Sequence, residues 1–480
     1  MIWVTLTIAA VLLYLIFTKR SRSKRDPPLD KGVIPWLGHA LEFGKDAAKF
    51  LSRMKLKHGD IFTVRVAGRY VTVLLDPHSY DAVIQDPVSL DFTRYAQLLM
   101  DRIFSLELPH HKPARAKTMM EQYFQGASLS CLTGTMHKNL QALLRAETPQ
   151  KETDWKVEGL FGLSYSLLFR AGYLTLFGGE QNNNGTDPAH VYDEYRKFDR
   201  LLTKMARATL KPEEKKTAQR VRETLWELLA SAGLAEDCGS SPWLHSYRQL
   251  LQEEGADEEA QKKAVLLQLW ATQGNVGPTA FWLLGYLLTH PEALVAVKRE
   301  FGSISQNSLL DRHAHTPMFD SALEETLRLT AAPFITREVV QEKTLHMADG
   351  REYLLRKGDR ICLFPFISPQ MDPEIHHEPQ KYKYDRFLND DGSEKREFYK
   401  GGRRLKYSTM PWGAGTNGCI GKQFAINTIR QFVYMVLSLY DIELCDPNAQ
   451  MPKVNTDHYG FGMLQPEGDL LIRSKRKHLQ

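Results

Sequence analysis

The spacing of apolar and polar residues predicts mostly helices, with a few short strands toward each end of the chain. Apolar residues recur at helical spacing over Phe43 to His58. The stretch Phe62 to Leu75 is β-branched, partly alternating and interrupted by Gly-Arg, which predicts a hairpin. From Pro77 to about Ile304 the spacing is mostly helical, and strand-like pieces return near Glu338 to Leu345 and Tyr353 to Leu363.

Two polar interruptions separate the helical stretches. Gly178 to Pro188 and Asp237 to Ser241 are rich in Gly, Asn, Asp and Ser, which favour loops. A last apolar helix is predicted over Phe424 to Leu439, before a β-like tail. With 43% apolar and 25% charged residues and no internal repeat, the composition is that of a globular protein. We expect one large, mainly α domain with small β-sheets over residues 26–480.

The N-terminal pattern predicts a membrane anchor. Ile2 to Phe17 is almost entirely apolar, and five basic residues follow between Lys19 and Arg25. The alternative is a cleaved signal peptide, but those carry their positive charge before the apolar run and end in a small-residue cleavage site. Basic residues on the C-terminal flank keep that flank cytosolic. We expect a single-pass anchor over residues 1–25 in the endoplasmic reticulum membrane, with the rest of the chain on the cytosolic face.

Charge and cysteine usage exclude two classes of protein. The net charge is only +5, with no basic stripe that carries interleaved aromatic residues, which argues against nucleic-acid binding. The cysteines are odd in number and scattered, without a CxxC pair, which argues for a reducing compartment and against a disulfide framework. They are Cys131, Cys238, Cys362, Cys419 and Cys445.

The stretch Pro411 to Gly421 carries the strongest chemical signal. Its four glycines leave the backbone free to lie close against something flat. Cys419 ends this loop and begins the last helix, where free backbone N–H groups favour a thiolate. Such a thiolate can hold haem iron and donate electron density to it, which favours O–O cleavage. The alternative is an ordinary buried cysteine that follows a glycine turn.

This stretch resembles the haem-binding loop of the cytochrome P-450 superfamily. That pattern is an aromatic, two residues, Gly, one residue, Arg or His, one residue, Cys, one residue and Gly. The chain matches it with Trp412, Gly415, Asn417, Cys419 and Gly421. Trp412 stands for the usual Phe, and Asn417 stands for the usual basic residue. The resemblance implies a haem-thiolate fold that binds haem b, with Cys419 as the axial iron ligand and Asn417 beside the cofactor.

A charged network and two cations complete the implied haem site. Glu325 and Arg328 lie three residues apart on a predicted helix, where a surface ion pair of little energy is the alternative. In the superfamily such a pair is joined by a second arginine, matched here by Arg386, and the buried network holds the cysteine loop. Arg337 is our first choice of partner for the haem propionates. Lys117 is the second, because the usual Trp-x-x-x-Arg is missing there.

The predicted helix from Ala264 to Leu288 departs from oxygen-activating members of the superfamily. Those members carry an acid and an alcohol that relay protons to bound dioxygen. Here the matching positions are Gly274 and Asn275, which supply neither group. Pro278 should kink or loosen the helix beside the iron. Related sterol hydroxylases carry a similar Gln-Gly-Asn or Gln-Ala-Asn segment, so Asn275 alone does not exclude a monooxygenase.

Several segments resemble superfamily members that isomerise the prostaglandin endoperoxide H2 to prostacyclin. They are residues 69–83, 267–278, 331–340 and 459–462. Such a substrate brings its own O–O bond, so the resemblance implies no dioxygen, no NADPH and no reductase. It also implies a monomer that takes a lipid substrate at the membrane. The alternatives are an NADPH-dependent sterol or fatty-acid hydroxylase of the same fold and a haem-binding sensor without turnover.

The resemblance implies an apolar substrate pocket in which Asn275 hydrogen-bonds an endoperoxide oxygen. Each predicted wall residue could equally be plain core. The predicted walls are Trp270, Asn275, Ala332, Phe334, Ile335 and Phe461.

Overall fold

A computed structural model describes residues 3–5, 7–8, 11, 23–108, 112–147, 155–178, 186–232, 242–304 and 315–477. In this part the chain is mainly helical with small β-sheets, as predicted. Most of the predicted anchor over residues 1–25 lies outside the described residues, as do the loop at 237–241 and most of the loop at 178–188. Within the described residues, no single helix has the length and apolar character to cross a bilayer. One pair bent by 111°, residues 258–289 with 291–302, meets those two criteria.

Sixteen helices of the described chain are numbered here in order. They are α1 Ala40–Lys45, α2 Ala47–His58, α3 Asp81–Ile84, α4 Thr93–Phe104, α5 Pro113–Tyr123, α6 Gly126–Ala146, α7 Leu160–Leu176, α8 Pro188–Asp199, α9 Leu202–Arg207, α10 Pro212–Leu228, α11 Pro242–Glu253, α12 Glu258–Gln273, α13 Val276–Thr289, α14 Pro291–Gly302, α15 Pro317–Thr330 and α16 Lys422–Leu439.

The strands form one larger sheet and three small ones. They are β1 Leu29–Asp30, β2 Ile61–Val66, β3 Arg69–Leu74, β4 Leu90–Asp91, β5 Lys156–Gly159, β6 Ile335–Val339, β7 Lys343–His346, β8 Glu352–Leu355, β9 Arg360–Leu363, β10 Tyr399–Lys400, β11 Arg403–Arg404, β12 Tyr440–Leu444 and β13 Leu471–Arg476. The larger sheet has the order β1-β2-β3-β9-β6-β4, the second β12-β13-β5, and the other two are the pairs β7-β8 and β10-β11.

The apolar helix α13 lies at the centre of the main hydrophobic core. It packs against α7, α15 and α16, and Phe281, Trp282 and Leu283 on it are fully or almost fully buried. The indole N–H of Trp282 is satisfied by the carbonyl of Leu464 at 2.7 Å. This packing fixes the middle of α13 against the loop that precedes β13. The strand β6 pairs with β9 in the larger sheet and fixes the segment after α15.

The predicted elements are present, but several are divided. The helical stretch 43–58 breaks at Asp46, whose extended backbone ends α1 and whose carboxylate accepts from the N–H of Lys49 to cap α2. The strand-like pieces 338–345 and 353–363 are each divided between two strands. The first piece is divided between β6 and β7. The second turns between β8 and β9, where Gly358 takes a φ of 87°. The helix predicted over 264–288 is interrupted at Gly274 and Asn275, four and three residues before the proline expected to loosen it.

Candidate active site

A cavity of about 270 Å3 contains the chemically distinctive residues of the sequence. Its walls come from residues 275–279 at the start of α13, from 333–337, from 411–419 in the cysteine loop (residues 411–421), from α16 and from 462–463. A second cavity of about 610 Å3 has charged walls that include Glu324, Lys422 and Arg430, and it shares Leu327 with the first. Only the first of these two presents a thiol, that of Cys419.

The cysteine loop folds back on itself and delivers Cys419 to the start of α16. Gly413 and Gly415 take φ angles of 67° and 64°, which other residues rarely adopt. A Cβ on Gly415 would lie 2.6 Å from the side chain of Ile84, so this glycine also permits a close approach. The loop closes through the N–H of Cys419, which donates to the carbonyl of Trp412 at 2.9 Å.

The backbone around Cys419 is suited to a thiolate. The pKa of this thiol is raised, because burial outweighs the N–H groups of Gly421 and Lys422 and the charge of Lys422, which lower the pKa. Since α16 begins at Lys422, those N–H groups are the free donors of a helix N-terminus. The side chain remains accessible from the cavity. A thiol that binds a metal ion does so as the thiolate and releases its proton to solvent, so these donors would stabilise the ligating form.

Arg337 is a buried cation in the wall of the same cavity. Only 4% of the residue is exposed, and burial lowers the pKa of its guanidinium. Its Nη1 donates to the carbonyl of Thr336 at 2.9 Å, and its guanidinium lies 5.1 Å from the ring of Phe92. Among the described residues, no carboxylate oxygen lies within 4.0 Å of its side-chain nitrogens. A buried guanidinium with spare donors suits the carboxylate of a haem propionate.

Lys117 lies outside this cavity, on α5. Its Nζ donates to the carbonyl of Thr416 at 2.8 Å and lies 3.4 Å from Glu121. It therefore binds the cysteine loop from outside the cavity. Asn417, one residue further along the loop, lines the cavity. Contact of either residue with haem stays a prediction.

The donor set of the cavity fits haem. The cavity presents an accessible thiol with two supporting N–H groups, together with the buried guanidinium of Arg337, which has no carboxylate within 4.0 Å in the part of the chain that the structure describes. In addition, the buried indole N–H of Trp412 has no hydrogen-bond partner among the described residues, although Trp412 lines the cavity. A buried donor without an acceptor is costly, so a bound group that accepts from it would relieve that cost.

The structure brings Glu325, Arg328 and Arg386 into one buried network. Arg328 binds Glu325 through two nitrogens, at 2.7 and 2.8 Å, and Nε of Arg386 donates to the same carboxylate at 2.8 Å. The N–H of Lys383 adds a further donor at 3.0 Å. Glu325 and Arg328 are both 0% exposed. The arrangement is rigid because the carboxylate is satisfied from three directions.

This network is connected to the base of the cysteine loop. Arg328 donates to the carbonyl of Gln370 at 2.7 Å. The ring of His376, six residues further on, lies 3.0 Å from the carbonyl of Ser408. Glu324, next to the network, accepts from the hydroxyl of Thr409, and burial raises the pKa of this carboxyl. Residues 408–409 end one residue before the cysteine loop, so the network fixes where that loop begins.

The interruption at Gly274 and Asn275 has a local cause. In an uninterrupted helix the carbonyl of Gly274 would accept from the N–H of residue 278, but Pro278 has none. The N–H of Gly274 still donates to the carbonyl of Trp270 at 3.0 Å, and the ladder resumes with Thr279, which donates to the carbonyl of Asn275 at 3.1 Å. We call these two residues, Gly274 and Asn275, the distal break.

The side chain of Asn275 lines the cavity and is held by the loop before β13. Its Oδ1 accepts from the N–H of Met463 at 2.9 Å, which leaves the amide N–H2 as the donor side. A Cβ on Gly462 would lie 2.6 Å from this Oδ1, and the φ of Gly462 is 96°. Glycine at 462 is therefore required for the Asn275 side-chain amide to occupy this position.

Of the other predicted pocket residues, two line the cavity. They are Phe334 and Ile335. Phe334 packs 4.5 Å from the ring of Phe364, in space that a Cβ on Gly460 would fill. Ile335 begins β6 beside Arg337.

Trp270, Ala332 and Phe461 are not in the wall of this cavity. Trp270 packs 5.8 Å from the ring of Phe104. Ala332 is fully buried and bonds through its N–H and carbonyl to residues 462 and 460. Phe461 lies 6.0 Å from the guanidinium of Arg207. Contact of these three residues with substrate stays a prediction.

Three residues of the site act through contacts that are distant in sequence and were not predicted from it. Phe92 stacks on Arg337, Glu324 binds the base of the cysteine loop, and Met463 orients Asn275. The adjacent pair Glu324-Glu325 and the glycines near Phe461 were visible signals, but their partners could not be read from one sequence. Arg337 and Phe92, for example, are separated by most of the helical part of the chain.

Comparison with known proteins agrees with this site. The sequence profile of the family described as Cytochrome P450 matches residues 192–472, more than half of the chain. The chain is 52% identical to prostacyclin synthase from Homo sapiens and 52% identical to prostacyclin synthase from Bos taurus, in each case over 94% of both chains. It is 39% identical to 7-alpha-hydroxycholest-4-en-3-one 12-alpha-hydroxylase from Homo sapiens, over 98% of this chain and 96% of that one.

The family match and these relatives imply that the cofactor of this chain is haem. With a family profile over more than half of its length and relatives that align along nearly all of it, the chain belongs to the cytochrome P450 family.

Proposed function

We propose that this protein isomerises the prostaglandin endoperoxide H2 to prostacyclin, without dioxygen, NADPH or a reductase. Similarity supports this choice of substrate, since identity is 52% to prostacyclin synthases and 39% to a sterol 12-alpha-hydroxylase over comparable lengths. Both groups share the fold, so similarity alone does not decide the reaction. The decision depends on the groups that face the cavity.

The composition of the cavity wall carries the proposal. The described residues that line the cavity include no carboxylate, no histidine and no lysine. Its one threonine, Thr279, donates its hydroxyl hydrogen to the carbonyl of Asn275 at 2.7 Å. A monooxygenase must deliver protons to bound dioxygen, and this wall offers no acid for that task. An isomerase of an endoperoxide needs no such relay, because the O–O bond is supplied by the substrate.

Position 274 is also closed to an acid side chain. A Cβ on Gly274 would lie 2.9 Å from the carbonyl of Trp270 and 3.0 Å from the hydroxyl of Tyr195. A carboxylate at this position would therefore require a shift of the α12 backbone or of a buried tyrosine. The absence of a relay acid is built into the packing around the distal break.

Six residues of the cavity wall then have defined tasks. When bound, haem with a thiolate ligand supplies an iron that assists O–O cleavage. Cys419 would be that ligand, while Arg337 and the indole N–H of Trp412 would bind acceptors of the cofactor. The amide N–H2 of Asn275 would donate to an endoperoxide oxygen and orient it. The apolar walls that include Phe334 and Ile335 would exclude water from the reactive intermediate.

We predict that Asn275→Ala slows turnover of the endoperoxide without abolishing it. One lost hydrogen bond of about 0.5–1.5 kcal/mol corresponds to roughly threefold to tenfold in kcat/KM. Asn275→Asp is the matched variant, because a carboxylate keeps an acceptor for the N–H of Met463 but loses the donor. The exposed Asn448→Ala serves as the surface control.

Steady-state kinetics on haem-loaded protein would measure these effects. Total loss of activity in a folded Asn275→Ala would make the amide a catalytic group and would contradict the proposed orienting role. Full activity in Asn275→Asp would contradict donation by the amide.

We also propose that the N-terminal segment anchors the protein in the endoplasmic reticulum membrane, with the catalytic part on the cytosolic face. Among the described residues, Trp3 is 82% exposed, and Val33 and Trp36 are 97% and 52% exposed near the start of the folded part. Exposed apolar groups at such positions suit an interface with lipid. Contacts of the fold begin close to Arg25, whose carbonyl accepts from the N–H of Leu354 at 2.8 Å.

Deletion of residues 1–22 should leave an active protein with full haem content and weaker membrane binding. Sedimentation with lipid vesicles, together with the haem-to-protein ratio, would measure both effects. Residual binding is expected from the apolar residues at 33–36. Loss of haem on truncation would instead make this segment part of the fold.

The monooxygenase remains the second candidate, because the 12-alpha-hydroxylase relatives align over nearly the whole chain. In that case turnover would need NADPH, a reductase and dioxygen, and the product would carry an added hydroxyl group. A protein that binds haem without turnover would give no product under either condition.

A further inference from the structure

A tyrosine far from the cysteine loop supports the distal break from its outer side. The hydroxyl of Tyr165 on α7 donates to the carbonyl of Gly274 at 3.2 Å. This is the carbonyl that Pro278 leaves without a helical donor. The tyrosine therefore supplies a hydrogen bond that the helix cannot make for itself.

The contact is close and specific. A Cβ on Gly277 would lie 2.3 Å from the ring of Tyr165, so the absence of a side chain there lets the ring lie directly on the helix. The side chain is fully buried. On its other face the guanidinium of Arg196 lies 4.5 Å from the ring centroid, and Arg196 is in turn paired with Asp199 at 2.5 Å. Tyr165 is thus fixed between α8 and the distal break.

The distal break is consequently held from two sides. On one side Tyr165 binds the carbonyl of Gly274, and on the other the N–H of Met463 binds the side chain of Asn275. Gly274 and Asn275 are consecutive, so the orientation of the peptide that joins them sets the position from which the Asn275 side chain leaves the backbone. Loss of either contact would remove one of the two restraints that act on this peptide and on the Asn275 side chain from outside the helix.

We infer that Tyr165 is a positioning residue, which fixes the Asn275 amide for the endoperoxide through its hydrogen bond to Gly274. This inference relies on the proposed function for the identity of the ligand. Tyr165 does not line the cavity, so its effect must pass through the distal break. Removal of its hydroxyl should therefore matter only while Asn275 has an amide to orient.

Tyr165→Phe in the full-length holoenzyme tests this inference, because phenylalanine keeps the ring over Gly277. The matched control is Tyr192→Phe on α8, whose ring lies 5.8 Å from that of Tyr165. We expect Tyr165→Phe to lower kcat/KM for the endoperoxide by about threefold to tenfold. In the Asn275→Ala background the same change should have an effect of less than about twofold. Tyr192→Phe should have no effect in either background.

Hydrogen exchange gives a readout that needs no substrate. The N–H of Met463 is protected by Asn275, so peptides that contain Met463 should exchange faster in Tyr165→Phe and not in Tyr192→Phe. Unchanged exchange would overturn the inference whatever the enzyme's substrate. Additive effects of Tyr165→Phe and Asn275→Ala on kcat/KM would overturn it as well. Failure of the wild-type protein to turn over the endoperoxide, with faster exchange in Tyr165→Phe, would instead overturn the proposed function alone.

Discussion

Replacement of Cys419 by serine or histidine is expected to abolish both the isomerase activity and the spectrum of a haem-thiolate protein. A haem with a thiolate ligand would give the reduced, carbon monoxide-bound protein a strongly red-shifted main absorption band, and neither substituent supplies a thiolate. The loss should be complete, because Cys419 is the thiol that faces the cavity and its N–H supports at Gly421 and Lys422 are specific to that position.

Cys445→Ser is the matched control for this experiment. Cys445 is an exposed free thiol outside the cavity wall, so the spectrum and the activity should remain those of the wild-type protein. The absorption spectrum of the reduced, carbon monoxide-bound protein would be recorded for each variant. A red-shifted band of normal intensity in Cys419→Ala would assign the iron ligand elsewhere.

The second large effect is expected at Glu325, where substitution by alanine should destabilise the whole fold. Loss of the carboxylate leaves Arg328 and Arg386 as buried cations without a carboxylate partner, at a cost of about 3–5 kcal/mol. Protein yield and haem content should fall together, because the network fixes the residues that precede the cysteine loop. Urea unfolding of the purified variant would measure the free-energy loss.

Glu443→Ala offers a control of the same chemical type. Glu443 pairs with Arg473 at 2.6 Å, but both side chains are about half exposed, so its loss should cost about 0–1 kcal/mol. A stable, fully haem-loaded Glu325→Ala that merely turned over slowly would give this carboxylate a catalytic role. That outcome would contradict the structural role assigned to the network.

The fold class and the half of the site that contains Cys419 could be predicted from the sequence, because both depend on local patterns. The last helix, the hairpin and the cysteine loop each occupy one continuous stretch, in which period, glycine spacing and the position of Cys419 are visible together. Glu325 and Arg328 are likewise neighbours on one helix. Arg386 required the resemblance to a family, since nothing local marks it as the partner of Glu325.

The half of the site around Asn275 depends on contacts between distant segments, which could not be predicted from the sequence. The proline at 278 predicted a disturbed helix, but the hydrogen bond to the carbonyl of Gly274 comes from Tyr165, which is 109 residues away. The seat of Asn275 depends on a glycine at 462 with a positive φ. Trp270 and Phe461 have the composition of pocket walls, yet their neighbours Phe104 and Arg207 place them outside this cavity.

The most direct test of the central claim is product analysis after purified ferric protein is mixed with prostaglandin endoperoxide H2 under anaerobic conditions. Neither NADPH nor reductase would be present. The proposed isomerase should form prostacyclin, detected as its hydrolysis product, at the same rate as in air. Absence of that product, with a hydroxylated product that appears only when NADPH, reductase and dioxygen are supplied, would contradict the claim and identify a monooxygenase.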